Sequence, residues 1–211
     1  MADLYSSPPI DIRGRPLTGV DQLVVPEVYR NDLKGIMIPK GEMKDRVEKI
    51  AEDISTFPIQ GDLLSICMLK GAMYFFTDLN RALGALDYPV EFETLRSRSY
   101  HAEESTGKVI LSPFDYDMIK DRHVLVVEDI IDTGRTLDKV VSKMKEHNPR
   151  SLRVACLFDK PSRRLPQVNL QPDYVGFVID DEFIIGGGLD FNGRYRNLSH
   201  VGVLKDELRL K

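Results

Sequence analysis

The chain has no tryptophan and two cysteines among its 211 residues, and no apolar run approaches the roughly 18 residues that a membrane-spanning helix needs. Each shortage removes a class of protein. Cys67 and Cys156 lie inside the apolar runs LLSICML and RVACLF, so they read as reduced thiols buried in strands and not as a disulfide framework. The formal net charge of -4 exerts no overall pull on polyanions. Bulk nucleic-acid binding is therefore not expected, and any phosphate site must be assembled locally from backbone amides, a metal ion or a few basic side chains. The N-terminal stretch MADLYSSPPIDIRGRP lacks the apolar core of a signal peptide, which makes the cytoplasm the expected compartment and a membrane partner unexpected. The four histidines, His101, His123, His147 and His200, show neither ligand nor triad spacing.

What is present is enough apolar matter, 42%, for one substantial core. Residues 1–18 are rich in Pro, Ser, Gly and charge and read as an irregular arm. Within residues 44–54, Val47, Ile50, Ala51 and Ile54 recur at helical spacing. Residues 63–69 are continuously apolar, as a parallel strand covered on both faces tends to be, and helical spacing returns over 72–86. Further strands are expected at 90–96, 123–127, 153–158 and 174–179, with a helix at 135–147 that places Leu137, Val140, Val141 and Met144 on one face. The pattern predicts an α/β fold with a mainly parallel twisted sheet flanked by helices. Ligands of such sheets bind beyond the carboxyl ends of the strands, so chemistry is sought just after each apolar run.

The most informative segment is HVLVVEDIIDTGRTL, residues 123–137. After an apolar strand come two carboxylates, two aliphatics, and then Asp132-Thr133-Gly134-Arg135-Thr136 opening a helix. A helix N-terminus presents free N–H groups and the positive end of a dipole; Gly134 permits close backbone approach, and Thr133 and Thr136 add hydroxyl donors. That combination suits a phosphate monoester. Glu128 and Asp129 are acceptors suited to the two hydroxyls of a ribose, or to Mg2+ through its waters. The bland alternative is a solvated acidic turn capped by Asp132. Two carboxylates tied to the end of an aliphatic strand are poorly explained by solvation alone. Neither the Walker spacing nor the dinucleotide glycine pattern is present.

This segment resembles the phosphoribosyl-pyrophosphate signature of the type I phosphoribosyltransferases, and within them the members that act on 6-oxopurines. Further stretches match in order: Cys67-Met68-Leu69-Lys70-Gly71, Arg98-Ser99-Tyr100, Phe158-Asp159-Lys160, and Phe183-Ile184-Ile185-Gly186 through Leu189-Asp190-Phe191 to Tyr195-Arg196. The likeness runs from about Val25 to the C-terminus. It implies a single domain over 19–211, with a core of about 42–180 and a small hood formed from the N-terminal segment and about 181–211.

The resemblance also implies an activity: transfer of the 5-phosphoribosyl group from phosphoribosyl pyrophosphate to N9 of hypoxanthine or guanine, giving IMP or GMP and pyrophosphate in purine salvage. The cofactor implied is Mg2+, held by Glu128, Asp129 and Asp190. Glu128, Asp129, Asp132, Thr133, Gly134, Arg135 and Thr136 are expected to hold the phosphoribosyl moiety, with Asp132 as the base that takes the proton at N7. Leu69, Lys70, Gly71 and Arg196 are expected on pyrophosphate, with a cis peptide between Leu69 and Lys70. Lys160 is expected at the C6 oxygen, Phe183 stacked on the ring, and Ile184, Leu189 and Asp190 around the rest of the purine. Ser99 and Tyr100 are expected on a lid loop reaching to about residue 112. A homodimer or homotetramer is the expected assembly.

Two positions depart from the family's pattern. Gly186-Gly187-Gly188 stands where relatives often carry a central aromatic, and Arg194 replaces a bulkier apolar or aromatic residue; both bear on the choice among hypoxanthine, guanine and xanthine. Two rival readings keep the fold without the reaction, a sugar-binding relative that has lost catalysis and an RNA-binding regulator. The presence of Asp132 speaks against the first and the acidic balance against the second.

Overall fold

The computed structural model describes residues 6–99 and 109–209. In chain order the elements are β1 (Ile10–Asp11), α1 (Glu27–Arg30), β2 (Leu33–Ile38), α2 (Lys40–Ser55), β3 (Leu63–Leu69), α3 (Met73–Ala85), β4 (Val90–Ser99) and β5 (Val109–Leu111). There follow β6 (His123–Ile131), α4 (Arg135–Lys145), β7 (Ser151–Asp159), β8 (Tyr174–Val178), β9 (Ile184–Ile185), β10 (Val201–Leu204) and α5 (Asp206–Arg209). Seven strands form the main sheet in the order β1-β8-β7-β6-β3-β4-β5. All neighbours in it run parallel except β5, which returns antiparallel along β4. A separate antiparallel sheet, β2-β10-β9, joins residues near the two ends of the chain.

Periodicity places the helices well because each buries one stripe. In α2 the predicted face, Val47, Ile50, Ala51 and Ile54, is buried, and in α4 so are Leu137, Val140, Val141 and Met144. These pack on a core that includes Leu64, Ile66, Val124, Val126 and Phe158, all at most 1% exposed. A smaller cluster, with Val25, Leu33, Ile36, Ile185, Tyr195, Leu198 and Leu204, fills the second sheet.

Three expectations need correction. Strand β6 does not end at Val127: its pairing with β7 continues through Ile130↔Phe158 and Ile131↔Asp159, because Ile131 still packs inward. The two carboxylates therefore sit within the strand and not after it. The arm is not irregular throughout, since Ile10 and Asp11 add a parallel edge to β8. The cause is a long-range partner: Arg46, buried in α2, donates to the carbonyls of Pro8 at 3.0 Å, Val175 at 2.6 Å and Gly176 at 3.1 Å, which ties arm, helix and sheet edge together. Finally, β4 outruns the predicted end at Arg96 and reaches Ser99, where β5 pairs with it, so the expected lid has a two-stranded stem. Tyr100 lies outside the described residues.

Candidate active site

The carboxyl ends of β3, β6 and β7 lie at one edge of the sheet, and the candidate residues gather there. Strand β3 ends on Leu69, the turn after it carries exposed Lys70 and Gly71, and the Leu69–Lys70 peptide is cis. Gly71 is pressed against β6: a Cβ added to it would fall 1.6 Å from Asp129 Oδ2. On its other side stands Gly188, at φ +104°, where a Cβ would meet the carbonyl oxygen of Gly71 at 2.3 Å. The unusual glycine run thus has a use in this chain, since it lets the segment from the second sheet lie directly on the turn.

Around this contact the acidic groups separate into two sets. Asp129 is buried and Glu128 half-buried, and their carboxylates accept from their own strand, Asp129 N to Glu128 Oε1 at 3.1 Å and Ile130 N to Asp129 Oδ1 at 2.9 Å. Burial pushes both carboxyl groups up, Glu128 well above the usual carboxylate range, and the negative charge of Asp129 pushes Glu128 further. A buried carboxylate pair with so little positive charge beside it fits a cation. Asp190 is differently placed, in an ion pair with Arg196 at 2.5 Å, while Arg196 also donates to the Gly188 carbonyl at 2.7 Å. No three His, Cys, Asp or Glu side chains among the described residues form one metal-sized cluster. That arrangement suits Mg2+ ions that each take one or two carboxylates and complete their shells with water and substrate phosphate.

The loop between β6 and α4 leads into an uncapped helix N-terminus. Gly134 is the N-cap residue, in the left-handed region at φ 78°, and no side chain caps the helix, so first-turn amides remain for a ligand. Gly134 is also hemmed in, with Val168 and Arg164 within 3 Å of where a Cβ would stand. Asp132 is not a helix cap, which corrects the bland alternative. Its Oδ1 instead accepts from Arg163 Nε at 3.1 Å, and its carbonyl accepts from Arg164 Nη1 at 3.2 Å. Thr133 and Thr136 are half-buried and Arg135 is exposed.

Lys160 directly follows β7, is 7% exposed, and donates to the Glu182 carbonyl at 2.6 Å. Burial pushes its ammonium down, while Asp132 and Asp181 push it back up. Phe183 packs edge-to-face on Phe191, with the guanidinium of Arg209 4.9 Å from its ring centre. Ile184 begins β9, paired to Val203, and both main-chain polar groups of Leu189 bond to Gly186 at 3.1 Å. The Leu189 N–H is thus spent within the turn. Arg194 lies over the Tyr195 ring at 5.4 Å and is exposed. Sequence reasoning missed Arg163, Arg164 and Asp181, and gave no role to Asp159. Arg164 pairs with Asp159 and Arg163 reaches both Asp132 and Asp181, and the only local signal was two adjacent arginines after Lys160-Pro161-Ser162. Both cysteine thiols are free and buried, and burial pushes Cys67 up to about 12, so neither is a nucleophile.

The structure is thus a parallel α/β sheet with an uncapped helix N-terminus and a buried carboxylate pair at the carboxyl ends of its strands. Residues 39–192 match the phosphoribosyl transferase domain, and the chain belongs to that family. Among curated relatives, hypoxanthine-guanine phosphoribosyltransferase of Canis lupus familiaris is 36% identical over 91% of this chain and 90% of its own length, and that of Homo sapiens is 35% identical with the same coverage. Hypoxanthine phosphoribosyl transferase of Trypanosoma cruzi superposes with a TM-score of 0.78 at 32% identity, covering 85% of this chain and 95% of that one. The Staphylococcus aureus enzyme gives the same score and identity over 86% and 97%.

Proposed function

We propose that the chain transfers the 5-phosphoribosyl group of phosphoribosyl pyrophosphate to N9 of hypoxanthine or guanine, yielding IMP or GMP and pyrophosphate for purine salvage. The observation that carries this reading is the position of Asp132, three residues before the first helical residue of α4 and with its charge acting on buried Lys160. The 5'-phosphate is assigned to the amides and hydroxyls of Thr133, Gly134, Arg135 and Thr136, and the ribose hydroxyls to Glu128 and Asp129. Pyrophosphate is assigned to Leu69, Lys70, Gly71 and Arg196, a guanidinium fork matched to phosphate oxygens.

Lys160 donates to the C6 oxygen of the base, Phe183 stacks on the ring, and Ile184, Leu189 and Asp190 close its far edge. As the bond from C1 to pyrophosphate breaks and N9 bonds to C1, the proton on N7 passes to Asp132, which acts as general base. Mg2+, when bound, offsets the charge gathering on the leaving pyrophosphate, and Glu128, Asp129 and Asp190 would hold it. Residues 19–211 act as one domain, with a core of about 42–180, a hood from the N-terminal segment and about 181–211, and residues 1–18 as an arm. Ser99 and Tyr100 belong to the lid. Homodimers or homotetramers are the assembly expected of a symmetric enzyme, and reduced, buried Cys67 and Cys156 support a cytoplasmic setting.

A spectrophotometric assay with phosphoribosyl pyrophosphate, Mg2+ and each of hypoxanthine, guanine, xanthine and adenine tests the reading. Turnover of hypoxanthine or guanine is expected, with adenine very poor. Adenine turnover near that of hypoxanthine would overturn the assignment.

A further inference from the structure

Four charged side chains of alternating sign meet where the purine is assigned. Arg163 Nε lies 3.1 Å from Asp132 Oδ1 and 3.6 Å from Asp181 Oδ1, and Asp181 Oδ1 lies 3.7 Å from Lys160 Nζ. Lys160 and Asp132, the two groups that read O6 and N7 in the proposed function, are thus both engaged by protein partners before a base arrives. A purine that takes Asp132 displaces Arg163 from it, and Lys160, whose ammonium also donates to the Glu182 carbonyl at 2.6 Å, turns a donor from the side of Asp181 to the base. With no new partner, that exchange would leave one half-exposed carboxylate and one half-exposed guanidinium unpaired beside the bound base.

We propose that Arg163 and Asp181 are positioning residues that exchange partners with the purine: as the base captures Lys160 and Asp132, the displaced Arg163 and Asp181 close on each other. They already stand 3.6 Å apart, within ion-pair reach. Arg163 is the right residue for the switch, because it sits in the short turn after β7 with its side chain 48% exposed, free to pivot between two acceptors, and its planar fork suits a carboxylate. The exchange leaves Arg163 and Asp181 paired with each other, Lys160 and Asp132 hydrogen-bonded to the base, and Asp132 uncovered for the proton only when base is present. This inference rests on the assigned roles of Lys160 and Asp132.

The test is steady-state kinetics of the full chain with Mg2+, phosphoribosyl pyrophosphate and hypoxanthine, on the parent, Asp181→Asn, Arg163→Gln, the double variant, and Asp181→Asn combined with Arg163→Lys. If the Arg163–Asp181 contact tightens when base binds, Asp181→Asn raises the hypoxanthine KM about three- to fivefold in the parent, the scale of a partly exposed ion pair. In the Arg163→Gln background the same change leaves that KM unchanged or lower, because there it only frees Lys160. Arg163→Lys, which keeps the charge, retains most of the Asp181→Asn effect, and the KM for phosphoribosyl pyrophosphate stays constant throughout. The same factor for Asp181→Asn in both backgrounds, no effect in either, or an equal effect on both substrates overturns the partner exchange. A parent that does not turn over hypoxanthine strikes the proposed function instead, so the two failures are told apart.

Discussion

Gly71→Ala adds a single methyl group at the place where the chain has least room. An ideal Cβ there lies 1.6 Å from Asp129 Oδ2 and 2.6 Å from its Cγ, whereas ordinary contact begins at 3.4 Å. The carboxylate must therefore recede by about 1.8 Å. Asp129 is only 8% exposed, and its other oxygen accepts from Ile130 N at 2.9 Å, so it has no free path. Overpacking of this kind costs about 1 to 3 kcal/mol, and loss of a hydrogen bond to a charged group about 1.5 to 3 kcal/mol. The two share one displacement and do not add, so a net loss of about 2 to 3 kcal/mol is expected, or roughly 4 to 12 °C in melting temperature for a chain of this size. The functional loss should be larger, because a misplacement near 1 Å can cost about a hundredfold in kcat/KM, here read against Mg-phosphoribosyl pyrophosphate. Thermal melts and kinetics on Gly71→Ala, Asp129→Ala and the double variant measure both. The double variant should melt no lower than Asp129→Ala alone, since the obstructing carboxylate is gone. A Gly71→Ala protein that melts within about 1 °C of the parent and keeps its KM would refute the argument, because the turn would then be free to give way.

Asp132→Asn should cost little stability, since Gly134 and not Asp132 holds the N-cap position and the ion pair to Arg163 is partly exposed, while kcat falls about 10²- to 10⁴-fold. Turnover within a few-fold of the parent would remove Asp132 as the base. Lys160→Ala should weaken hypoxanthine by about 1 to 3 kcal/mol and narrow its advantage over adenine, whose C6 amino group presents a donor to the ammonium; an unchanged ratio of the two kcat/KM values would contradict that contact. Glu128 predicts a pH effect of definite sign. Its folded pKa lies above the unfolded value, so the stability it contributes is fully present below the ordinary carboxylate range and is lost as pH rises through the folded pKa. Without Mg2+, Glu128→Gln should therefore melt higher than the parent at pH 7, with the difference shrinking toward pH 4, and added Mg2+ should stabilise the parent more than the variant. Melting curves whose difference does not change with pH would show that Glu128 carries no such penalty.

Local pattern determined much of this protein by itself. The stripe Leu137, Val140, Val141 and Met144 specifies both α4 and the face it buries, because a helix that packs on a sheet repeats its apolar positions every three to four residues. The mainly apolar run of β3, broken only by Ser65, and the stretch VACLF within β7 mark strands covered on both sides, and the order acid pair, aspartate, threonine, glycine marks the loop that opens α4 in one contiguous stretch. What no local pattern encodes is contact between distant segments. Gly71 meeting Asp129, Gly188 meeting Gly71, Arg46 holding the carbonyls of Pro8 and Val175, and Arg163 standing between Asp132 and Asp181 all join residues 18 to 129 positions apart. The extent of β6 belongs to the same class, since its last residues are strand only because β7 pairs with them. Sequence periodicity reports which way a side chain faces relative to its own element; which groups share a carboxylate, and which glycine must stay bare, depend on how elements close on one another, and that is decided only when the chain has packed.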